Sequence, residues 1–400
     1  MTRIMIFDDG KGRFGPMTDL RAAFELRTGM LTTAQRIMLQ WPKRLAGYWV
    51  PASLAQLVSE RANAPVNELP NNEETLLCVN GRWAMPSRQI KLDVGHALIE
   101  AETGHVIAAH LRHADAVYFL RDGQLHERVI VQEHAERALY LHPWHIHGLI
   151  WKTIPQDILA TRVLDAMVPD ASDIIVGEHP IEIHSRATIM PNVVLDATHG
   201  PIIIDECATI RPSAVICGPC AIGPHSTVMD HATIKPNTVI GPHCKVSGEV
   251  GSTIFQGYSN KAHDGHLGDS WVGEWVNFGA GTTNSNLLNT YSEVAMRLEP
   301  SGPRQRTGLT FLGCIVGDHA KFAINTRIMT GSVIGTGAMI ATTAPAPTTT
   351  QRFAWITDEG ERTYRWEKFI EVAKAMMGRR RLEPSEAYTT RLREVFDSHV

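Results

Sequence analysis

The stretch Gly257–Asn286 reads Gly-Tyr-Ser-Asn-Lys-Ala-His-Asp-Gly-His-Leu-Gly-Asp-Ser-Trp-Val-Gly-Glu-Trp-Val-Asn-Phe-Gly-Ala-Gly-Thr-Thr-Asn-Ser-Asn, and it gathers the residue types that do chemistry. His263 and His266 carry imidazoles able to act as acid or base near neutral pH. Acyl transfer to an amine needs such a base, because an ammonium must lose its proton before nitrogen can attack a thioester. Gly279 and Gly281 would let a ligand come close to the backbone. A single histidine here could be a satisfied structural residue. The clustering of His, Asn, Lys, Asp and Gly in one place favours a site.

A second candidate lies at the N-terminus, where strand Ile4–Phe7 leads into Asp8-Asp9-Gly10-Lys11-Gly12-Arg13. A Gly-x-Gly turn after a strand can cradle phosphates with backbone N–H groups, although alone it is a weak signal. His142, His145 and His147 form a further cluster, and on a strand the last two would share a face. Lacking a nearby carboxylate or Cys pattern, they read as structural rather than metal-binding. Cys217 and Cys220 have zinc or redox spacing. No second Cys-x-x-Cys completes a four-sulfur site, so they read as packing thiols.

The elements that must hold these residues are set by a six-residue beat. Ile204, Ile210, Ile216, Ile222, Val228, Ile234, Ile240 and Val246 recur every six residues, and the beat resumes at Val316, Phe322, Ile328, Ile334 and Ile340. Two positions earlier stand small residues such as Ala208, Ala214, Cys220 and Cys244; two positions later stand turn formers such as Pro212, Gly218, Pro224 and Pro242. A helix would repeat at about 3.6 and a lone strand at about 2. A strict six predicts a hexapeptide β-helix, three short strands and three turns to a triangular coil of about eighteen residues. Ile183, Ile189 and Leu195 are early rungs. Asp196–Pro201 and the stretch from about Asn284 to Thr310 read as insertions, the second as an excursion outside the prism. The Gly257–Asn286 segment lacks the composition of a prism wall.

Residues 1–165 alternate apolar strand candidates (Ile4–Phe7, Leu76–Val79, Ala116–Leu120) with helical stretches (Arg21–Leu26, Leu54–Arg61), which predicts an α/β domain. A connector containing Ile158–Met167 reads as a helix. The solenoid occupies residues 170–342. Residues 343–400 are read as a Thr/Ala/Pro-rich linker and C-terminal helices, one carrying Trp366, Phe369, Ala373 and Met377, the other spanning Ser385–Phe396 with Ser385 as cap. Arg379, Arg380 and Arg381 close the first of these, where positive charge favours the helix dipole; the sharper alternative is a site for cofactor phosphates. With 400 residues, a formal net charge of −4 and no apolar run of membrane length, the chain argues against nucleic-acid or membrane partners. Its N-terminus enters a strand without a cleavable signal, and a cytoplasmic location with reduced cysteines is expected.

The motifs together resemble the bifunctional bacterial glucosamine-1-phosphate acetyltransferase/N-acetylglucosamine-1-phosphate uridylyltransferase family. Tyr258-Ser-Asn-Lys-Ala-His263-Asp-Gly and Glu274-Trp-Val-Asn277 are similar to its variant branch; Leu267-Gly-Asp269 and Val276-Asn-Phe-Gly-Ala-Gly-Thr282 are similar to the common branch. The resemblance covers the solenoid well and the N-terminal part loosely. It implies a left-handed parallel β-helix of the hexapeptide-repeat transferases, behind a nucleotidyltransferase-like α/β domain. It further implies acetyl transfer from acetyl-CoA to an amino-sugar 1-phosphate, formation of a sugar nucleotide of the UDP-N-acetylglucosamine kind, and a homotrimer with its sites between solenoids. His263 then matches the catalytic base, Glu249 a supporting carboxylate and Asn286 an asparagine of the sugar site. Asn277 and Ala280 match positions near the amino sugar and the thioester.

Departures are specific. Gly251, Ser292 and the region of Ile324 stand where the family has two lysines and a serine, so Lys235, Lys245 or Lys261 would have to meet a sugar phosphate. In the N-terminal part, Gly10, Gly12 and Arg13 resemble the nucleotide loop, and Arg21 or Arg27 could stand for a catalytic lysine. Asn80 and His145 occupy positions where carboxylates would help hold Mg2+, which leaves the metal ligands unknown and two readings open: an active, modified site, or nucleotide binding alone. Two other functions share this architecture. A zinc carbonic anhydrase would need a third histidine beside His179 and His184, and a non-catalytic regulatory or assembly subunit would fit the altered first domain better than the retained Glu249, His263 and Asn286.

Overall fold

The computed structural model describes residues 2–70, 73–161, 166–167 and 174–398. They form two compact units, Met1–Phe14 with Leu20–Ile146, and Gly15–Asp19 with His147–Val400. The first boundary lies earlier than the expected residue 165. The helix after it, Ile150–Ala160, buries Ile150, Ile154 and Ile158 at helical spacing and packs on the solenoid strand Cys220–Ile222. That helix ends at Ala160, short of the expected Met167, and residues 162–165 lie outside the described chain.

The first unit is a six-stranded sheet of β1 (Arg3–Phe7), β2 (Leu45–Trp49), β3 (Thr75–Asn80), β4 (His96–Glu100), β5 (Val106–Arg112) and β6 (Ile130–His134), in the order β2-β1-β3-β5-β4-β6. β1 is parallel to β2 and β3, whereas β5 is antiparallel to β3 and β4. Helices α1 (Thr33–Gln40), α2 (Ala52–Arg61) and α3 (His113–Asp122) complete the layers. Two readings of local structure are corrected. Ala116–Leu120 lies inside α3, because Ala116, Phe119 and Leu120 bury one helical face and Gly123 in the left-handed region ends it. The stretch Arg21–Leu26 forms only a short 3-10 turn at Ala23–Glu25.

The second unit is a triangular parallel β-helix with one sheet per face. The aliphatic beat lines its interior: Ile204, Ile210, Ile216, Ile222, Val228, Ile234, Ile240 and Val246 are fully buried, with Ala208, Ala214, Cys220 and Cys244 closing the corners. All six cysteines are free thiols. The turn formers have a defined function. Pro212, Pro224, Pro236 and Pro242 each precede a left-handed residue, Ser213, His225, Asn237 and His243, the type II turn pattern that bends the chain at each corner. At one corner His225, His243, Tyr258 and Trp275 stack ring on ring at 4.8, 4.7 and 4.6 Å, contacts that offset the strain of bulky left-handed residues.

The Gly257–Asn286 segment is prism wall after all. Ile222 pairs with Ile240, eighteen residues on, but Val239 pairs with Ile254, fifteen on, and Ile254 with Trp271, seventeen on. The beat falters because the coils shorten, not because the chain leaves the solenoid. The later insertion does leave it, as an antiparallel pair Ala295–Met296 and Gln305–Arg306. The expected linker is a further coil: Ala346 joins the core, Thr349 bridges Val333, and Ala354–Thr357 pairs in parallel with Met339–Ala341. Two helices follow, at Trp366–Gly378 and Glu386–Asp397, the second capped by Ser385, whose Oγ accepts the Tyr388 N–H at 3.1 Å.

Candidate active sites

His263 sits exposed in the turn between solenoid strands Asn260–Lys261 and His266–Gly268. It opens on a groove of ≈740 Å³. Asn277, Gly279 and Ala280 form the wall beside it, Lys245 and Lys321 border it, and Met376, Arg379 and Arg380 close it from the helix Trp366–Gly378 and its end. The Gly279 N–H donates to the Phe322 carbonyl at 3.0 Å, whereas the Ala280 N–H meets no acceptor among the described residues. Of the three arginines, Arg379 and Arg380 line the groove, and Arg380 donates to Asn260 Oδ1 at 3.0 Å. Lys321 donates to the carbonyls of Trp275 and His319, both at 2.8 Å, and burial lowers its pKa to about 7.

Around the corner of the prism lies a second polar group. Parallel register sets Glu249 opposite His266, not His263. Glu249 Oε1 is 2.5 Å from Lys235 Nζ and 3.3 Å from His266 Nδ1. The Lys235 hydrogen bond leads the causes that hold Glu249 below the usual carboxylate range. The expected pairing of Glu249 with His263 is therefore replaced by Lys235–Glu249–His266. Gly268 brings His266 and Asn286 together: a Cβ there would lie 2.6 Å from His266 Nε2 and 2.8 Å from Asn286 Nδ2. Asn286 donates to Asp269 Oδ2, while Asp269 Oδ1 pairs with His147 Nε2 at 3.0 Å. Gly251 leaves room for the Lys235 stem, which would lie 3.0 Å from a Cβ at that position. The pairing of Asp269 with His147 was not legible in the sequence, because 122 residues separate them. His145 and His147, which on a strand would share a face, lie instead in the short helix Pro143–His147.

Lys261 does not face a ligand. It is 2 % exposed, inside the prism, where register with Val246 would put an aliphatic rung.

In the first unit a groove of ≈540 Å³ opens beside the β1 loop, lined by Asp8, Asp9, Gly10, Lys11, Trp49, Asn67 and the end of α3. Gly10 belongs to it, at a left-handed φ of 65°. The expected phosphate cradle is turned on itself: Asp8 Oδ1 accepts the Gly10 N–H at 3.0 Å, and Asp9 Oδ1 the Lys11 N–H at 3.1 Å. Two carboxylates ahead of the glycines form these local turns. Asp8 Oδ2 also accepts from Ala23 N–H at 2.7 Å, and burial raises its pKa. Asp9 is gripped by Arg82 at 2.9 and 2.6 Å and by Asn80 at 3.1 Å. Asn80 is fully buried and also donates to the Val106 carbonyl, so it is part of this lattice and not an open metal ligand. Gly12 and Arg13 do not line the groove, and Arg21, only 2 % exposed, is buried away from it. Arg27 donates to the Met30 carbonyl. His142 stacks on Trp144, and His145 accepts the Leu141 N–H at 3.2 Å. Among the described residues no three metal-ligating side chains converge, and the loop carboxylates, already engaged, do not fit a ready magnesium site. His184, offered for zinc, accepts the Arg186 N–H at 3.0 Å.

Residues 4–161 match the sugar nucleotidyl transferase family. A curated relative from Sulfurisphaera tokodaii, named a bifunctional sugar-1-phosphate nucleotidylyltransferase/acetyltransferase, is 36% identical over 92 residues, 23% of this chain. The matched region spans about a fifth, 22%, of that relative's length. Among solved structures, a hexapeptide transferase family protein from Anaplasma phagocytophilum aligns with 56% of this chain and 99% of its own, at 13% identity and a TM-score of 0.27. The family and the curated relative are both transferases, and the chain's similarity to bifunctional nucleotidyltransferase/acetyltransferases agrees with the motifs in its sequence.

Proposed function

We propose that the second unit transfers an acetyl group from acetyl-CoA to the amine of an amino-sugar 1-phosphate of the glucosamine 1-phosphate kind. The observation that carries this reading is the groove in which His263, the Ala280 N–H, which meets no acceptor among the described residues, and the cations Lys245, Arg379 and Arg380 open on one space. His263 takes a proton from the substrate ammonium. The freed amine attacks the thioester carbonyl, and the Ala280 N–H meets the negative charge developing on its oxygen. Collapse breaks the C–S bond, the remaining ammonium proton on nitrogen passes to the departing thiolate to give the amide and the free thiol, and His263 releases the proton it took to solvent. Lys245, Arg379 and Arg380 are suited to the phosphates of the coenzyme. His266, Asn286 and Lys235 form the polar face offered to the acceptor. The exposed side of His263 suits a homotrimer in which a neighbouring solenoid supplies the opposite wall, and the co-substrate suits a cytoplasmic enzyme.

The first unit, on this reading, handles a nucleoside triphosphate and a sugar 1-phosphate, with a uridine nucleotide and N-acetylglucosamine 1-phosphate as the first pair to test. Its self-bonded loop supports slow transfer or binding alone.

The test is thiol release from acetyl-CoA with a panel of amino-sugar 1-phosphates, beside pyrophosphate release from nucleoside triphosphates with sugar 1-phosphates. His263→Ala should lower acetyl transfer by about 10²-fold or more, the usual weight of a positioned base. Near wild-type turnover by this variant would remove the base assignment.

A further inference from the structure

We propose that Lys261 is an internal clamp that positions the turn carrying His263; this rests on the acetyl-transfer reading of that turn. In its sheet, strand Asn260–Lys261 lies between Lys245–Val246 and Asn277–Phe278. Val246 and Phe278 both fill the prism. Between these two apolar rungs stands a lysine, 2 % exposed. Its stem does the work of an aliphatic rung. Its ammonium donates to three backbone carbonyls: Ser247 at 3.1 Å, His263 at 3.0 Å and Asp264 at 3.3 Å.

The chemistry of this arrangement is unusual for a solenoid interior. An ammonium withdrawn from water is strongly disfavoured unless its three donors are met, and here three carbonyls meet them. Burial still lowers its pKa to about 8, so the charge survives at neutral pH. Two of the three acceptors are the successive carbonyls of His263 and Asp264. Elsewhere on this wall, inter-coil bonds fix the backbone, as from Asn260 N–H to the Val276 carbonyl at 2.9 Å. At the His263 turn a single side chain gathers carbonyls from two consecutive residues and from the preceding coil. Removing the ammonium would leave those carbonyls turned toward an apolar interior without a donor. The turn would then relax and carry His263 with it. Lys261 does not itself line the groove and reaches His263 only through its backbone carbonyl, so it is a positioning residue.

Lys261→Met keeps the stem and removes the donors. Amide hydrogen exchange across residues 262–266 should quicken at least about tenfold, with the remaining coils unchanged. kcat for acetyl transfer should fall about 10- to 100-fold, the scale of a misplaced catalytic group, while KM for acetyl-CoA stays within about twofold. Val246→Ala, which loosens the adjacent rung, is the control and should not speed exchange selectively at that turn. Unchanged exchange at 262–266 with unchanged kcat would overturn the clamp, as would equal loosening of the turn by Val246→Ala. If the Met variant does not fold, Lys261→Gln, which retains an NH2 donor, carries the same comparison and should give a smaller change of the same kind. Wild-type protein inactive with every acceptor would sink the acetyl-transfer reading, while the exchange measurement would still decide whether Lys261 holds the turn.

Discussion

At the residue scale, the groove is lined by Lys245, Lys321, Arg379 and Arg380 and by no carboxylate among its described lining residues. Arg380 hydrogen-bonds Asn260 Oδ1, and Arg379 and Lys245 stand near it on the groove rim. A coenzyme phosphate would exchange that neutral partner for an ionic one, a stronger bond of about 1.5–3 kcal/mol. Arg380→Ala should therefore raise KM for acetyl-CoA by about 10-fold or more and leave kcat within about threefold, because the phosphates lie away from the bond being broken. Steady-state kinetics with acetyl-CoA varied at saturating acceptor decide it. A fall in kcat with KM unmoved would place Arg380 at the reacting end instead.

At the element scale, the short helix Pro143–His147 and the residue before it place two histidines, His142 and His145, in the first unit in neutral form. Burial, aided by the Arg13 charge, lowers His142 to about 4; burial, aided by Arg137, lowers His145 to about 3. In the unfolded chain both return to the ordinary value near 6.5. The unfolded state thus binds more protons than the folded one below that value. The stabilising difference is complete above about pH 6.5 and is lost as pH falls through the range toward 4 and 3. Thermal melting at pH 7, 5.5 and 4.5 should show the first unit losing stability steeply. The double variant His142→Gln, His145→Gln should flatten that fall, and an equal slope in both proteins would contradict the assignment.

At the scale of the whole molecule, the exposed His263 and the open groove argue for a second copy. A solitary solenoid leaves the base facing water, where an attacking amine would not be held. Light scattering at micromolar concentration should report three chains, and a stable monomer with full acetyl-transfer activity would remove the need for a neighbouring wall. No helix among the described residues is long and apolar enough to cross a membrane.

The amino-acid sequence by itself determined the solenoid, because a six-residue period can be satisfied only by a wall that turns after each short strand, and Ile204 to Val246 keep that period without slip. It also marked His263, Asn277 and Ala280, which share one local segment and one groove. The tertiary structure alone decided what register and distance control. Shortened coils set Glu249 against His266, a bond that counting fourteen residues back from His263 could not foresee. His147 reaches Asp269 across 122 residues, and the helix end at Arg379 and Arg380 returns to coils more than a hundred residues earlier. Lys261 reads as a surface cation by type, yet the register of its strand turns it inward. Likewise the Gly10–Gly12 loop has the composition of a phosphate cradle, but its own aspartates occupy the N–H groups, and only the folded backbone shows which partner they have taken.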